Sequence, residues 1–169
     1  EYDEVWDRYI YELENLPTDM KVLGINDYWF LDGYKKVKEY KDNGRLENIE
    51  LILPVVELRL RDYVGSTQLN KINFHIIFSN QLTIEEIENE FLRRLEISDY
   101  ENRSLSNDNL IAFGKKVRDD TPDVKKNDLP SSDLQIGFNN FTIPLEKINE
   151  LLKKDLFSDK YIKVIGQTE

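Results

Sequence analysis

Apolar residues recur along this chain in two periods, and each switch between them marks an element. Residues 3 to 16 set Val5, Tyr9, Ile10, Leu13 and Leu16 at helical spacing with acids between them, and Pro17-Thr18 ends that helix. Residues 21 to 26 form a short apolar run that reads as a strand. Asp32 to Tyr40 predicts a lysine-rich helix with Asp32 as its N-cap and Asn43-Gly44 past its end. Residues 49 to 60 read as a second strand, in which Pro54 either breaks the run or sits where no ladder bond is needed. A polar loop with Gly65-Ser66-Thr67 leads from Asp62 to Asn70, and residues 72 to 78 are a third strand.

The second half is read in the same way. Thr83 and Glu86 make a capping box that opens a helix through Ile87, Phe91, Leu92 and Leu95. Another helix runs from near Ser106 to Val117, and residues 119 to 133 form the longest loop. Pro144 sits early in a helix that carries Leu145, Ile148, Leu151 and Leu152. Tyr161 to Ile165 is the last strand. This alternation predicts an α/β fold with mainly parallel strands. Nothing marks a linker, so residues 1–169 read as one domain segment. The chain begins at Glu1 inside an amphipathic pattern and stops at Glu169 just after a strand-like run, and both ends read as cuts through a longer polypeptide.

Composition narrows the function classes. A net charge of −10 disfavours a general nucleic-acid binder, because phosphate contacts need clustered Lys and Arg. The absence of cysteine removes disulfides and thiolate metal sites. No apolar stretch approaches the ~20 residues of a membrane span, which predicts no membrane partner, and no signal peptide is seen; the lack of cysteine fits a cytoplasmic protein. No Gly-x-Ser-x-Gly elbow or Walker phosphate loop is present.

Candidate chemistry centres on three residues. His75 is the only histidine and lies within Ile72-Asn73-Phe74-His75-Ile76-Ile77-Phe78, an otherwise buried strand pattern. Glu57 lies late in the second strand, and Asp27 follows the first. In parallel α/β sheets such residues gather where the strands end. Glu57 oxygen and His75 nitrogen suit a divalent cation, with Asp27 binding a second ion or orienting a ligand. A purely structural reading stands beside this one. His75 can be a core histidine bonded to a backbone carbonyl, and strand alternation can turn Glu57 outward to pair with Arg59. Trp6, Trp29 and Phe30 can stack on a base or simply fill the core.

The order of these pieces resembles the PHP (polymerase and histidinol phosphatase) family. Gly24-Ile25-Asn26-Asp27-Tyr28 stands where that family reads Gly-Ile-Thr-Asp-His, and Pro54-Val55-Val56-Glu57 where it reads Pro-Gly-x-Glu. Phe74-His75-Ile76-Ile77 fits the strand that carries a metal-binding histidine. Within the family the wording is most similar to the PHP-like front end of TrlF-type AAA/SMC-like ATPases. Gly33-Tyr34-Lys35-Lys36-Val37, Ile52-Leu53-Pro54-Val55-Val56-Glu57-Leu58-Arg59, Ile72-Asn73-Phe74-His75-Ile76-Ile77-Phe78-Ser79, Gly137-Phe138-Asn139-Asn140 and the final Gly166-Gln167-Thr168-Glu169 carry that closer match.

The resemblance implies a partial, distorted β/α barrel and a metal-dependent phosphoesterase or nuclease domain. It implies that Glu57 and His75 hold a divalent metal (Zn, Mn or Mg), with Asp27 as the catalytic residue that orients a ligand or assists proton transfer. The implied partners are a C-terminal ATPase module of the same polypeptide and a nucleic-acid or nucleotide substrate. The setting is a bacterial phage-defence or DNA-repair protein. The family's His-x-His motif would lie before Glu1, and its last Asp and His motifs beyond Glu169. Tyr28 replaces the second-motif histidine and Val55 the third-motif glycine. These departures keep a second implication open, a degenerate, non-catalytic PHP-like sensor or docking module for the ATPase part.

Overall fold

The computed structural model describes residues 2–64, 70–97 and 99–166. Helix α1 (Tyr2–Glu14) leads into β1 (Val22–Tyr28), α2 (Asp32–Asp42), β2 (Leu51–Val64) and β3 (Asn70–Phe78). Then follow α3 (Ile84–Glu90), the small strands β4 (Glu96–Ile97) and β5 (Arg103–Ser104), and helices α4 (Asn107–Asp120) and α5 (Asp123–Lys126). Helices α6 (Asp133–Asn140) and α7 (Leu145–Leu152) and the strand β6 (Tyr161–Gly166) complete the order. The loop residues Gly65-Ser66-Thr67 and the terminal Gln167-Thr168-Glu169 lie outside the described residues.

The α/β class is as the pattern predicts, but the mainly parallel sheet is not what forms. The main sheet has the order β1-β2-β3-β6 and is mixed: β1 and β2 are parallel, while β2–β3 and β3–β6 are antiparallel. The reason is the length of one link. Only residues 65–69 separate β2 from β3, and a parallel crossover needs roughly a dozen residues or more. A short connection allows only a hairpin. Among the described residues the sheet is open, with β1 and β6 at its two edges.

Period-two alternation along β2 separates the two faces. Ile52, Val56, Leu58 and Leu60 point into the core, where Phe74, Ile76 and Phe78 of β3 join them. Residues from α2 (Tyr34, Val37), α3 (Ile87) and α7 (Ile148, Leu151, Leu152) pack into the same cluster. Pro54 does not break β2; it pairs with Ile25 inside the parallel ladder. The opposite face carries Leu53, Val55, Glu57 and Arg59, and at its β6 edge Ile162 and Val164 are exposed. No helix among the described residues is long and apolar enough to cross a membrane.

Local signals place most helix ends. Thr83 and Glu86 form both bonds of the capping box, and Ser106 caps α4 through the Asn109 N–H. Gly44 follows α2 at φ +87°, in the left-handed region that glycine enters without a Cβ clash. Two helices were not legible in the loop pattern: the short α5 and the longer α6. Trp29, which links β1 to α2, adopts φ 67°. Full burial of its ring and an N–H bond to the Glu57 carbonyl at 3.1 Å hold it there. Trp29 is thus a core residue and not a stacking platform.

Candidate functional site

Cross-strand register creates the site. Glu57 and His75 are direct partners in the antiparallel β2–β3 ladder, so both side chains leave the same face of the sheet. His75 Nε2 lies 3.4 Å from Glu57 Oε2, and their side chains are 23% and 20% exposed, so the pair is shielded but open to a small ligand. The separation is longer than the usual 2.7–3.2 Å of an N–H···O hydrogen bond. Two ligands held ~2.0–2.2 Å from one tetrahedral ion lie about 3.4 Å apart, so the same spacing suits a shared cation. Asn26 of β1 donates its amide N–H to Glu57 Oε2 at 2.8 Å, which fixes the carboxylate.

Asp27 is not brought to this pair. Neighbouring strand residues face opposite sides, and Asn26 occupies the Glu57 side. Asp27 pairs instead with the fully buried Val56 on the core side. There its carboxylate caps α2: Oδ1 accepts from the Gly33 N–H at 3.1 Å and Oδ2 from the Tyr34 N–H at 2.8 Å. Asp32, expected as that cap, is the first helical residue, and the N-cap position falls on Leu31, which makes no side-chain cap bond. Burial pushes the Asp27 carboxyl above its usual range, against the pull of the two backbone donors, with Asp32 adding repulsion and Lys35 relieving it. Asp27 also lines a cleft of about 290 Å³ with Trp6 and Tyr9 of α1.

Tyr28 returns to the Glu57 face, since it is the β1 partner of Glu57. Its hydroxyl donates to the Phe138 carbonyl of α6 at 3.2 Å, and burial raises its phenol above the ordinary range. Arg59 does not turn to Glu57. Its Nη1 donates to the Asn139 carbonyl at 3.3 Å, and its guanidinium lies over the Tyr28 ring, 5.6 Å from the centroid. Lys71 of β3 donates to the same Asn139 oxygen, also at 3.3 Å.

Asn26, Lys71 and the α6 carbonyls are thus parts of the site that were not singled out as such from the sequence. Strand alternation outward from His75 is the signal that could have found Lys71, whereas Asn26 reaches the site through the parallel register of β1 with β2. The α6 carbonyls have no sequence signal of this kind, because a backbone oxygen is positioned only by the tertiary fold.

The described residues supply two adjacent metal donors, Glu57 and His75. No group of three or more His, Cys, Asp or Glu side chains that could hold a metal ion occurs among them. The chain matches no family model, no curated protein and no solved structure.

Proposed function

We propose that the chain is part of a PHP-like, distorted β/α barrel domain whose metal-dependent phosphoesterase or nuclease chemistry is centred on the Glu57–His75 pair. The observation that carries this reading is the 3.4 Å approach of an imidazole nitrogen to a carboxylate oxygen on one sheet face. The motif resemblance supplies the reaction class, and with it an ATPase module as partner and a bacterial cytoplasmic setting in phage defence or DNA repair.

The residues fit a divalent cation as a pair of neighbouring ligands. Glu57 would bind through a carboxylate oxygen, and His75 through Nε2 as the neutral imidazole with its proton on Nδ1. Asn26 would keep the carboxylate in position, the usual task of a group that hydrogen-bonds a ligand. A bound divalent ion supplies Lewis acidity toward a phosphoryl oxygen and acidifies water near it. Asp27 is committed to capping α2, so no proton transfer is assigned to it.

The test is calorimetric titration of the chain with Mn²⁺ and Zn²⁺, followed by hydrolysis of a chromogenic phosphodiester. Saturable binding is expected, weakened more than about tenfold in Glu57→Ala and in His75→Ala, since altering even groups that only support a ligand costs about that much. Equal affinity in wild type and both variants defeats the reading, as does the lack of any saturation.

A second reading, a degenerate PHP-like sensor or docking module for the ATPase part, is favoured by two specific contacts. Asp27 is taken up by backbone N–H groups, and Tyr28, at the family's histidine position, is bound to the Phe138 carbonyl. It predicts no metal binding, and wild-type biological activity for both alanine variants in the full-length protein.

A further inference from the structure

The cleft of about 290 Å³ between α1, β1 and the start of α2 joins an apolar wall to one carboxylate. Val5, Trp6 and Tyr9 of α1 and Ile25 of β1 form the wall, and Asp27 and Gly33 complete the lining used here. Trp6 and Tyr9 meet nearly edge to face, with ring centroids 5.8 Å apart and planes at 80°, so the aromatic part of the wall is a corner and not a flat plate. Each Asp27 oxygen accepts one backbone N–H, from Gly33 and from Tyr34, and an ionised carboxylate has room for further donors. Among the described residues Asp27 makes no ion pair. Lys35, the cation whose charge acts on it, is drawn away to Glu88 and Asp32. Gly33 keeps the carboxylate uncovered, since a Cβ there would collide with Asp27 Oδ1. Burial is the largest influence on Asp27 and raises its pKa, as expected of a half-buried carboxylate with no cation paired to it. After burial, the Asp27 charge also raises the Tyr9 phenol, so its field reaches the α1 wall.

We propose that this cleft binds an alkylammonium group, with the ammonium against the Asp27 carboxylate and the alkyl chain along Val5, Ile25, Trp6 and Tyr9. A carboxylate shielded from water holds an ammonium donor more strongly than an exposed one, and aromatic walls add attraction for a cation. The start of α2 offsets roughly half a charge of Asp27, but the first turn of α1 adds Asp3 and Glu4, and the chain as a whole carries −10. The apolar wall selects an organic cation over a metal ion, because a hard cation needs several oxygen ligands and the cleft offers one carboxylate. Neither Glu57 nor His75 takes part, so the site stands whether or not that pair holds a metal.

The test is a titration of the whole ¹⁵N-labelled chain with n-butylammonium chloride at constant ionic strength, read by amide and indole chemical shifts. Saturable shifts are expected at the Gly33 and Tyr34 amides, whose N–H groups bond Asp27, and at the Trp6 indole, while the fully buried Trp29 stays unchanged. Asp27→Asn should weaken binding about tenfold or more, since it removes the charge that assists the ammonium bond. Tyr9→Leu should weaken it roughly threefold, the share of one aromatic wall. The neutral analogue 1-butanol should bind at least about tenfold more weakly than the ammonium. Thermal melting checks that the variants fold; should Asp27→Asn fail to fold, Tyr9→Leu and the butanol comparison decide the matter. An Nα-acetyl-lysine amide presents the same ammonium on a peptide: tighter binding than butylammonium makes a lysine side chain the source, and equal or weaker binding makes it a free amine. Shifts that do not saturate, shifts spread over the acidic surface without Gly33 and Tyr34, equal binding of butanol, or undiminished binding in the folded variants overturns the site.

Discussion

Asp27 and Glu57 show how one strand position decides the task of a carboxylate. Both follow apolar runs, and from the sequence both look like candidates for the same site. Alternation puts Glu57 on the solvent-accessible face with Asn26 and His75, and Asp27 on the core face under α2. We therefore expect Asp27→Ala to lower stability by about 1 kcal/mol, the usual cost of losing a helix cap, and to leave metal affinity unchanged. Urea unfolding and metal titration of the same variant check both halves. A loss of metal binding comparable to that of Glu57→Ala would contradict the placement. The pH dependence has a definite sign. Burial raises the folded pKa of Asp27, so its contribution is fully present below the unfolded value and is lost as pH rises through the folded one. The stability gap between wild type and Asp27→Ala should widen toward acid pH. Gly33 belongs to the same device, because a Cβ there would lie 2.4 Å from Asp27 Oδ1. Gly33→Ala should therefore also destabilise, although alanine is ordinarily the better helix former.

Helices α4 and α6 cross backbone against backbone. A Cβ on Gly114 would stand 1.8 Å from the Asp133 carbonyl oxygen, and one on Gly137 would stand 2.2 Å from that of Leu110. Glycine inside a helix normally costs about 1 kcal/mol relative to alanine. Here the order reverses: alanine at either position must push the helices apart, an overpacking that costs about 1–3 kcal/mol. Gly137→Ala carries a second consequence, since Phe138 and Asn139 follow it directly. Displacing their carbonyls moves the anchors of Tyr28, Arg59 and Lys71. Stability equal to wild type in Gly137→Ala would count against the tight crossing.

The crossing also shows what the sequence could and could not convey about the elements. Caps and stops are local, so Thr83–Glu86, Ser106 and Asn43–Gly44 were readable. Helix α6 was not, because Asp133–Asn140 has a glycine at its contact and buries only Ile136 and Gly137. The direction of β3 was lost for a different reason. Helix–strand alternation suggests parallel pairing, and the short link after β2, which rules it out at that step, was read as a longer loop beginning at Asp62. The pairing of Glu57 with His75 was legible as two motifs, but their direct opposition depends on that antiparallel register.

At the scale of the molecule, the end of α1 is joined to the turn after α2 by an ionic contact. Glu14 receives Arg45 through Nε and Nη2, both at 2.7 Å, and also the Leu46 N–H at 3.0 Å. This ties the end of α1 to the turn after α2, where Leu46 is fully buried at φ 59°. The Arg45 hydrogen bond lowers the Glu14 pKa; burial opposes it, and the Leu46 N–H and the Arg45 charge reinforce it. For a depressed carboxylate the contribution is complete above the unfolded pKa of about 4.3 and disappears as pH falls through the folded value. Glu14→Gln should therefore melt below wild type at pH 7, and the two melting curves should converge at acid pH below that unfolded value. This is the opposite trend from Asp27→Ala, so a general effect of acid on so negative a chain cannot mimic both. Part of the Glu14 effect should fade in high salt, since both partners are partly exposed, whereas the Leu46 bond persists. Amide exchange gives the spatial check. In Glu14→Gln at pH 7 protection should drop first along α1 and the turn at 43–46, with the β2–β3 ladder unchanged. Uniform loss across the sheet would mean that α1 is an integral part of one cooperative unit and not a strapped-on element.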